Sequence, residues 1–105
     1  MDIGFCDADV QQLFNEWRRL VARYGNKGAQ VIACRMLLLQ AAPRLGLVPQ
    51  HAPFNLQATA APAAFTLDLD AGRRLRLAVN GPKYDRCGLL LWRDALKIDI
   101  LGVVP

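Results

Sequence analysis

Histidine is nearly missing from this chain: His51 is the only one in 105 residues. Cysteine is scarce too, since Cys6, Cys34 and Cys87 are odd in number, widely spaced and lack a Cys-x-x-Cys pair. That pattern excludes a disulfide framework and gives no zinc ligand set, so no metal and no cofactor are expected. The thiols are expected as small buried hydrophobes in a reducing cytoplasm. No run reaches the roughly 18 apolar residues of a membrane span. The most apolar stretch, VIACRMLLLQAA, is interrupted by Arg35, and MDIGFCDADV lacks the basic-then-apolar order of a leader, so no membrane association is expected.

Repeats, linkers and low-complexity tracts are also lacking, and with 53% apolar residues the expected organisation is one domain over 1–105. The surplus of one charge sign is modest. Thirteen Lys and Arg against nine Asp and Glu give +4, which favours a polyanionic partner such as nucleic acid without forming a polybasic tail.

The chain opens with a strand over Asp2 to Cys6, after which Asp7 or Asp9 caps a helix. Val10, Leu13, Phe14, Trp17, Leu20, Val21 and Tyr24 recur at helical spacing, predicting one amphipathic helix of about four turns with Gly25 ending it. A second helix is predicted from about Lys27 to Ala42, stopped by Pro43. The short GNKG connection folds the pair into an antiparallel hairpin. Gly46 to Ala64 reads as loop, with one short strand around Phe54 to Gln57.

The stretch AFTLDLDAGRRLRLAV, Ala64 to Val79, is a hairpin turning at DAG, with Phe65, Leu67 and Leu69 inward on its first strand. On its second strand Leu75, Leu77 and Val79 alternate with Arg74 and Arg76, sending leucines one way and guanidinium groups the other. Asn80 to Gly88 is a loop carrying Lys83 and Tyr84. A last strand, about Leu96 to Val103, alternates Ile98 and Ile100 with Lys97, Asp99 and Leu101; its Leu101 and Val103 are expected on the outward side. The predicted class is α+β: a small antiparallel sheet in strand-helix-helix-strand-strand-strand order, with the helical hairpin packed on one face. The face bearing Arg74, Arg76 and Lys97 is expected to be open.

Four segments in this order, MDIGFCD, RYGNKGAQVIACRMLLLQAAPRLGLV, FTLDLDAGRRLRL and LKIDIL, resemble the HigB/RelE-like killer proteins of bacterial toxin-antitoxin modules, in the RelE/ParE superfamily. The resemblance spans most of the chain. It implies a cytoplasmic toxin that cuts messenger RNA on the translating ribosome, held silent by a cognate antitoxin, usually a helix-turn-helix protein. The family's last strand commonly ends in Asp-Tyr-His, often part of the active site; this chain reads DILGVVP there. The apolar LGVVP strand would be covered by an antitoxin segment or by a second copy of the chain in a homodimer.

Metal-free RNA cleavage needs a proton acceptor for the ribose 2′-hydroxyl, cations for the charge growing on phosphorus, and a donor for the departing 5′-oxygen. Arg74 and Arg76 supply forked hydrogen bonds to phosphate. His51, in VPQHAPF, is the candidate base or acid, because its imidazole titrates nearest neutrality, and related toxins often carry a histidine at this place. Tyr84 is the candidate second proton-transfer group. Arg73, Lys83 and Lys97 are the expected further RNA contacts.

Overall fold

Asp7 fixes where the first helix begins. In the computed structural model, which describes residues 1–61 and 63–105, β1 (Asp2–Phe5) runs into Asp7, whose Oδ1 accepts the amide proton of Val10 at 2.9 Å. That bond satisfies one of the free donors of α1 (Ala8–Asn15).

The single four-turn helix predicted from Val10 is instead broken, because Glu16 is extended (φ −113°, ψ 107°) and itself caps α2 (Trp17–Ala41). Two clusters account for the break. Val10 packs toward the sheet and Leu20 into a second group with Ala29 and Ile32, with Phe14 touching both, and one straight helix would not aim Val10 and Leu20 at their separate groups. The side chain of Glu16 then pairs with Arg19 at 2.7 Å. Trp17 is about half exposed rather than part of the core. The GNKG loop also contracts to one residue: Gly25 (φ 77°, ψ 171°) is the only non-helical position within α2.

Five strands form one sheet in the order β1-β5-β4-β3-β2, with β2 Gln57–Ala58, β3 Ala64–Asp68, β4 Arg74–Val79 and β5 Lys97–Val104. β2 lies later than the Phe54 to Gln57 strand read from the sequence. The sheet is mixed rather than antiparallel, since β1 runs parallel to β5 while β5-β4, β4-β3 and β3-β2 are antiparallel. The helices provide the long crossover that parallel pairing requires.

Leu75 and Leu77 of β4, Ile98 and Ile100 of β5, and Phe65 and Leu67 of β3 are buried on one face. Leu39 of α2 and Ala42 at its C-terminal cap join that core, with Val10, Phe14 and Met36 packed around it. The 3-10 turns Leu45–Leu47 and Trp92–Asp94 close one end; a Cβ at Gly46 would stand 2.7 Å from the Arg93 carbonyl oxygen, so only glycine allows this approach.

A register shift between Arg76 and Leu77 corrects the expected face of the last strand. Leu77 lies opposite Ile100 but Arg76 lies opposite Gly102, so Leu101 is the extra residue of a β-bulge and Gly102 takes φ 138°. Beyond the bulge the alternation inverts. Val103, expected outward, faces Leu75 and packs on the core. The three cysteines, expected buried, are all exposed. No helix among the described residues is long and apolar enough to cross a membrane.

Candidate functional site

The register of β3, β4 and β5 builds the arginine face. Arg74 lies opposite Asp68, Arg76 opposite Thr66, and Ala78 opposite Ala64 and Asp99. Their neighbours Leu75, Leu77 and Val79 point into the helix-covered core, so both guanidinium groups stand on the other side of the sheet. Arg74 is exposed and Arg76 partly so. Beside Arg76 the bulge places Gly102, so β5 offers only backbone there.

The two arginines differ in their acidic company. Arg74 Nε lies 3.7 Å from Asp68 Oδ1, with side chains 52% and 30% exposed, an ion pair of little strength in so wet a setting. Arg76 has no hydrogen bond or ion pair from its side chain among the described residues.

Asp68 is the residue that sequence patterning missed. Its amide donates to the Phe54 carbonyl at 2.7 Å, its own carbonyl accepts from Arg35 Nε at 2.9 Å, and its Oδ2 accepts from Asn55 Nδ2 at 2.9 Å. Arg35 also lies over the Phe54 ring at 4.7 Å, which explains a cation inside the most apolar stretch of the chain: its stem crosses the core edge while its head meets the end of β3. Replacing Asp68 by alanine should lower the unfolding free energy by about 1–2 kcal/mol in urea denaturation, the worth of one charge-assisted bond at a partly wet site. Asp68→Asn, keeping an acceptor for Asn55, should lose less.

His51 borders the same end of the sheet. Its carbonyl accepts the amides of Phe54 and Asn55 at 3.1 and 2.9 Å, so the turn it begins is tied through Asn55 to Asp68, opposite Arg74. The residue is exposed, and its ring makes no hydrogen bond among the described residues.

The remaining candidates are elsewhere. Arg73 is drawn to α2: its Nη1 donates to the Tyr24 carbonyl at 3.4 Å, its guanidinium lies 5.3 Å from the Tyr24 ring centre, and Asp70 is 4.0 Å away. It clasps the hairpin turn onto the helix bend and is not on the arginine face. Lys83 and Tyr84 lie beyond the far end of β4, and Lys97 begins β5 where its carbonyl accepts the Asn80 amide at 3.0 Å. Six residue steps along the strand separate Arg74 from Asn80, a distance of about 20 Å. Tyr84 forms an isolated bridge with Leu90, beyond the end of β4 that is away from Arg74.

Cys6 lies beside an acid that disfavours its thiolate. Desolvation, then the hydrogen bond to Asp7 at 3.5 Å and the negative charge it carries, push the Cys6 thiol pKa up, away from thiolate. No group of three or more His, Cys, Asp or Glu able to hold a metal ion occurs among the described residues. No protein-family model, curated protein or solved structure matches the chain.

Proposed function

We propose that this chain is a HigB/RelE-like toxin of the RelE/ParE superfamily, acting in the bacterial cytoplasm on messenger RNA at the ribosome and silenced by a cognate helix-turn-helix antitoxin. One observation carries the reading: Arg76, free of acidic partners among the described residues, stands two positions from Arg74 on the sheet face turned away from the buried leucines. Guanidinium groups so placed grip phosphate oxygens in forked geometry and stabilise the extra charge of a phosphorane.

In the cleavage this reading implies, the ribose 2′-oxygen attacks the adjacent phosphorus and the bond to the 5′-oxygen breaks, leaving a 2′,3′-cyclic phosphate and a 5′-hydroxyl. His51 takes the proton of the 2′-hydroxyl or supplies one to the 5′-oxygen, water serving at the other place. Translating ribosomes carrying a defined message test it: the purified chain should produce new 5′ ends within the coding sequence. His51→Ala should slow that cleavage about 100-fold or more, the usual worth of a proton-transfer group, while RNA binding persists. Intact message at full occupancy sinks the proposal of cleavage.

The distance of Tyr84 from the arginines supports a second reading, a member of the same superfamily that binds its target without cutting. Only one proton-transfer candidate then borders the cationic face. Arginine-dependent inhibition of translation with uncut message would favour this reading over the first.

A further inference from the structure

The opposite end of the sheet carries a different chemistry, independent of the arginine face. Of the seven large hydrophobic side chains exposed among the described residues, four, Tyr84, Leu89, Leu91 and Leu96, fall between positions 84 and 96. The first three sit on an ordered turn, and Leu96 leads into β5. The Asp85 amide donates to the Leu89 carbonyl, Asp85 Oδ1 accepts the amides of Cys87 and Leu89 at 2.8 and 2.9 Å, and the Leu91 amide returns to the Lys83 carbonyl at 2.8 Å. Their exposure is thus fixed by the local fold.

Between this turn and the approach to β5 opens a cleft of about 420 Å³. Val79, Leu91, Ala95 and Leu96 give it apolar walls, and Lys83 and Lys97 supply its cations. Asp94 is the one carboxylate among its lining residues. Of the nearby acids, Asp85 is engaged by its own turn and Asp99 accepts from Asn80 Nδ2 through both oxygens, at 3.2 and 3.1 Å. Asp2 lies opposite Lys97 in the strand register, without an ion pair between them among the described residues. Neither lysine has an ion-pair partner among those residues, and Arg86 and Arg93, both exposed, add positive charge around the same segment.

We propose that this cleft docks a short acidic segment of another protein, one apolar side chain filling the space between Leu91 and Leu96 while flanking carboxylates meet Lys83 and Lys97. Charge complementarity selects the occupant. Leucines that line a concavity gain from burying another apolar side chain, a return that a sugar-phosphate chain does not offer, and the lysines set the sign of what surrounds the anchor. A bilayer would call for a convex apolar surface, whereas here Leu91 and Leu96 line a concavity.

Panning a phage-displayed library of random ten-residue peptides on the immobilised full chain tests the proposal, with the Lys83→Glu/Lys97→Glu double variant as counter-selection. Both lysines are exposed and unpaired, and Leu96 is exposed, so the reversals and Leu96→Ser should fold normally, which circular dichroism will verify. Enriched peptides should be net negative with one or two Leu, Ile, Phe or Met residues. Synthesised, they should bind the double variant and Leu96→Ser at least about tenfold more weakly than the parent, a loss of about 1.4 kcal/mol. No enrichment, enrichment of basic or neutral peptides, or equal binding to the variants overturns the proposal. Loss of binding to a ten-nucleotide RNA, or to phosphatidylglycerol vesicles, in the double variant without peptide selection would assign the cleft to nucleic acid or lipid instead.

Discussion

Truncating Leu77 to alanine is expected to remove about 2–5 kcal/mol of folding free energy, the range for a buried leucine whose surroundings collapse only in part. Leu77 is the case where collapse is hardest. It is 0% exposed at the middle of β4, with Phe65 opposite on β3 and Ile100 opposite on β5. Both neighbours are held by strand ladders, so neither backbone can follow the missing methyl groups inward. A domain of this size holds only about 5–15 kcal/mol in total. The thermal midpoint should therefore drop by roughly 8–20 °C, at about 4 °C for each kcal/mol. Leu37→Ala is the control: that side chain is 65% exposed, and its loss should change stability by less than about 0.5 kcal/mol. Comparable losses at the two positions would mean that the helix-facing side of the sheet is not where stability resides.

The same strand shows why parts of this fold are legible in the sequence. The period of two from Arg74 to Val79 sets the burial of Leu75, Leu77 and Val79 and leaves the arginines outward, because one buried face fixes the register. Asp7 was readable as a cap for a similarly local reason. What escaped the pattern depends on partners distant in sequence. The pairing of β1 with β5 joins residues 95 positions apart, such as Asp2 with Lys97, and nothing local in DIGFC declares its direction. The bulge at Leu101 and Gly102 reverses the parity of Val103, and its signal, one glycine inside an apolar strand, was present in LGVVP but not used. The Glu16 break follows from two clusters, one taking Val10 and the other Leu20, that Phe14 bridges.

The candidate site divides along the same line. Arg74 and Arg76 were legible because alternation alone places them, and the resemblance drew attention to His51. Asp68, Asn55 and Arg35 were not, because Asn55 and Asp68 are 13 positions apart and Arg35 is 33 from Asp68; their meeting is a product of the loop that returns Phe54 to the end of β3. Lys83, Tyr84 and Lys97 share sign or chemistry with the arginine face without sharing its place. Arg73, next to Arg74 in sequence, belongs to the α2 clasp because the turn at Asp70 points it there.

Removing both guanidinium groups of Arg74 and Arg76 should produce the largest functional loss. A hydrogen bond to a charged group contributes about 1.5–3 kcal/mol when its partners are well placed. Arg76→Ala alone should therefore weaken binding to a short single-stranded RNA by roughly 10- to 100-fold. Arg74→Ala should cost less, since Asp68 at 3.7 Å already competes for that side chain. The double variant should lose more than either single, and its dependence on salt should fall as well. Each phosphate neutralised on a single strand contributes about 0.7 to the slope of log K against log salt, so losing two flattens the slope by about 1.4. Titrations at several salt concentrations separate this from misfolding, because a destabilised protein loses active fraction without a change of slope. Arg76→Lys refines the test: charge and slope stay while the planar fork is lost, so an intermediate affinity assigns part of the grip to geometry. An unchanged slope in the double variant would place the phosphates elsewhere and leave the RNA-directed reading without its site.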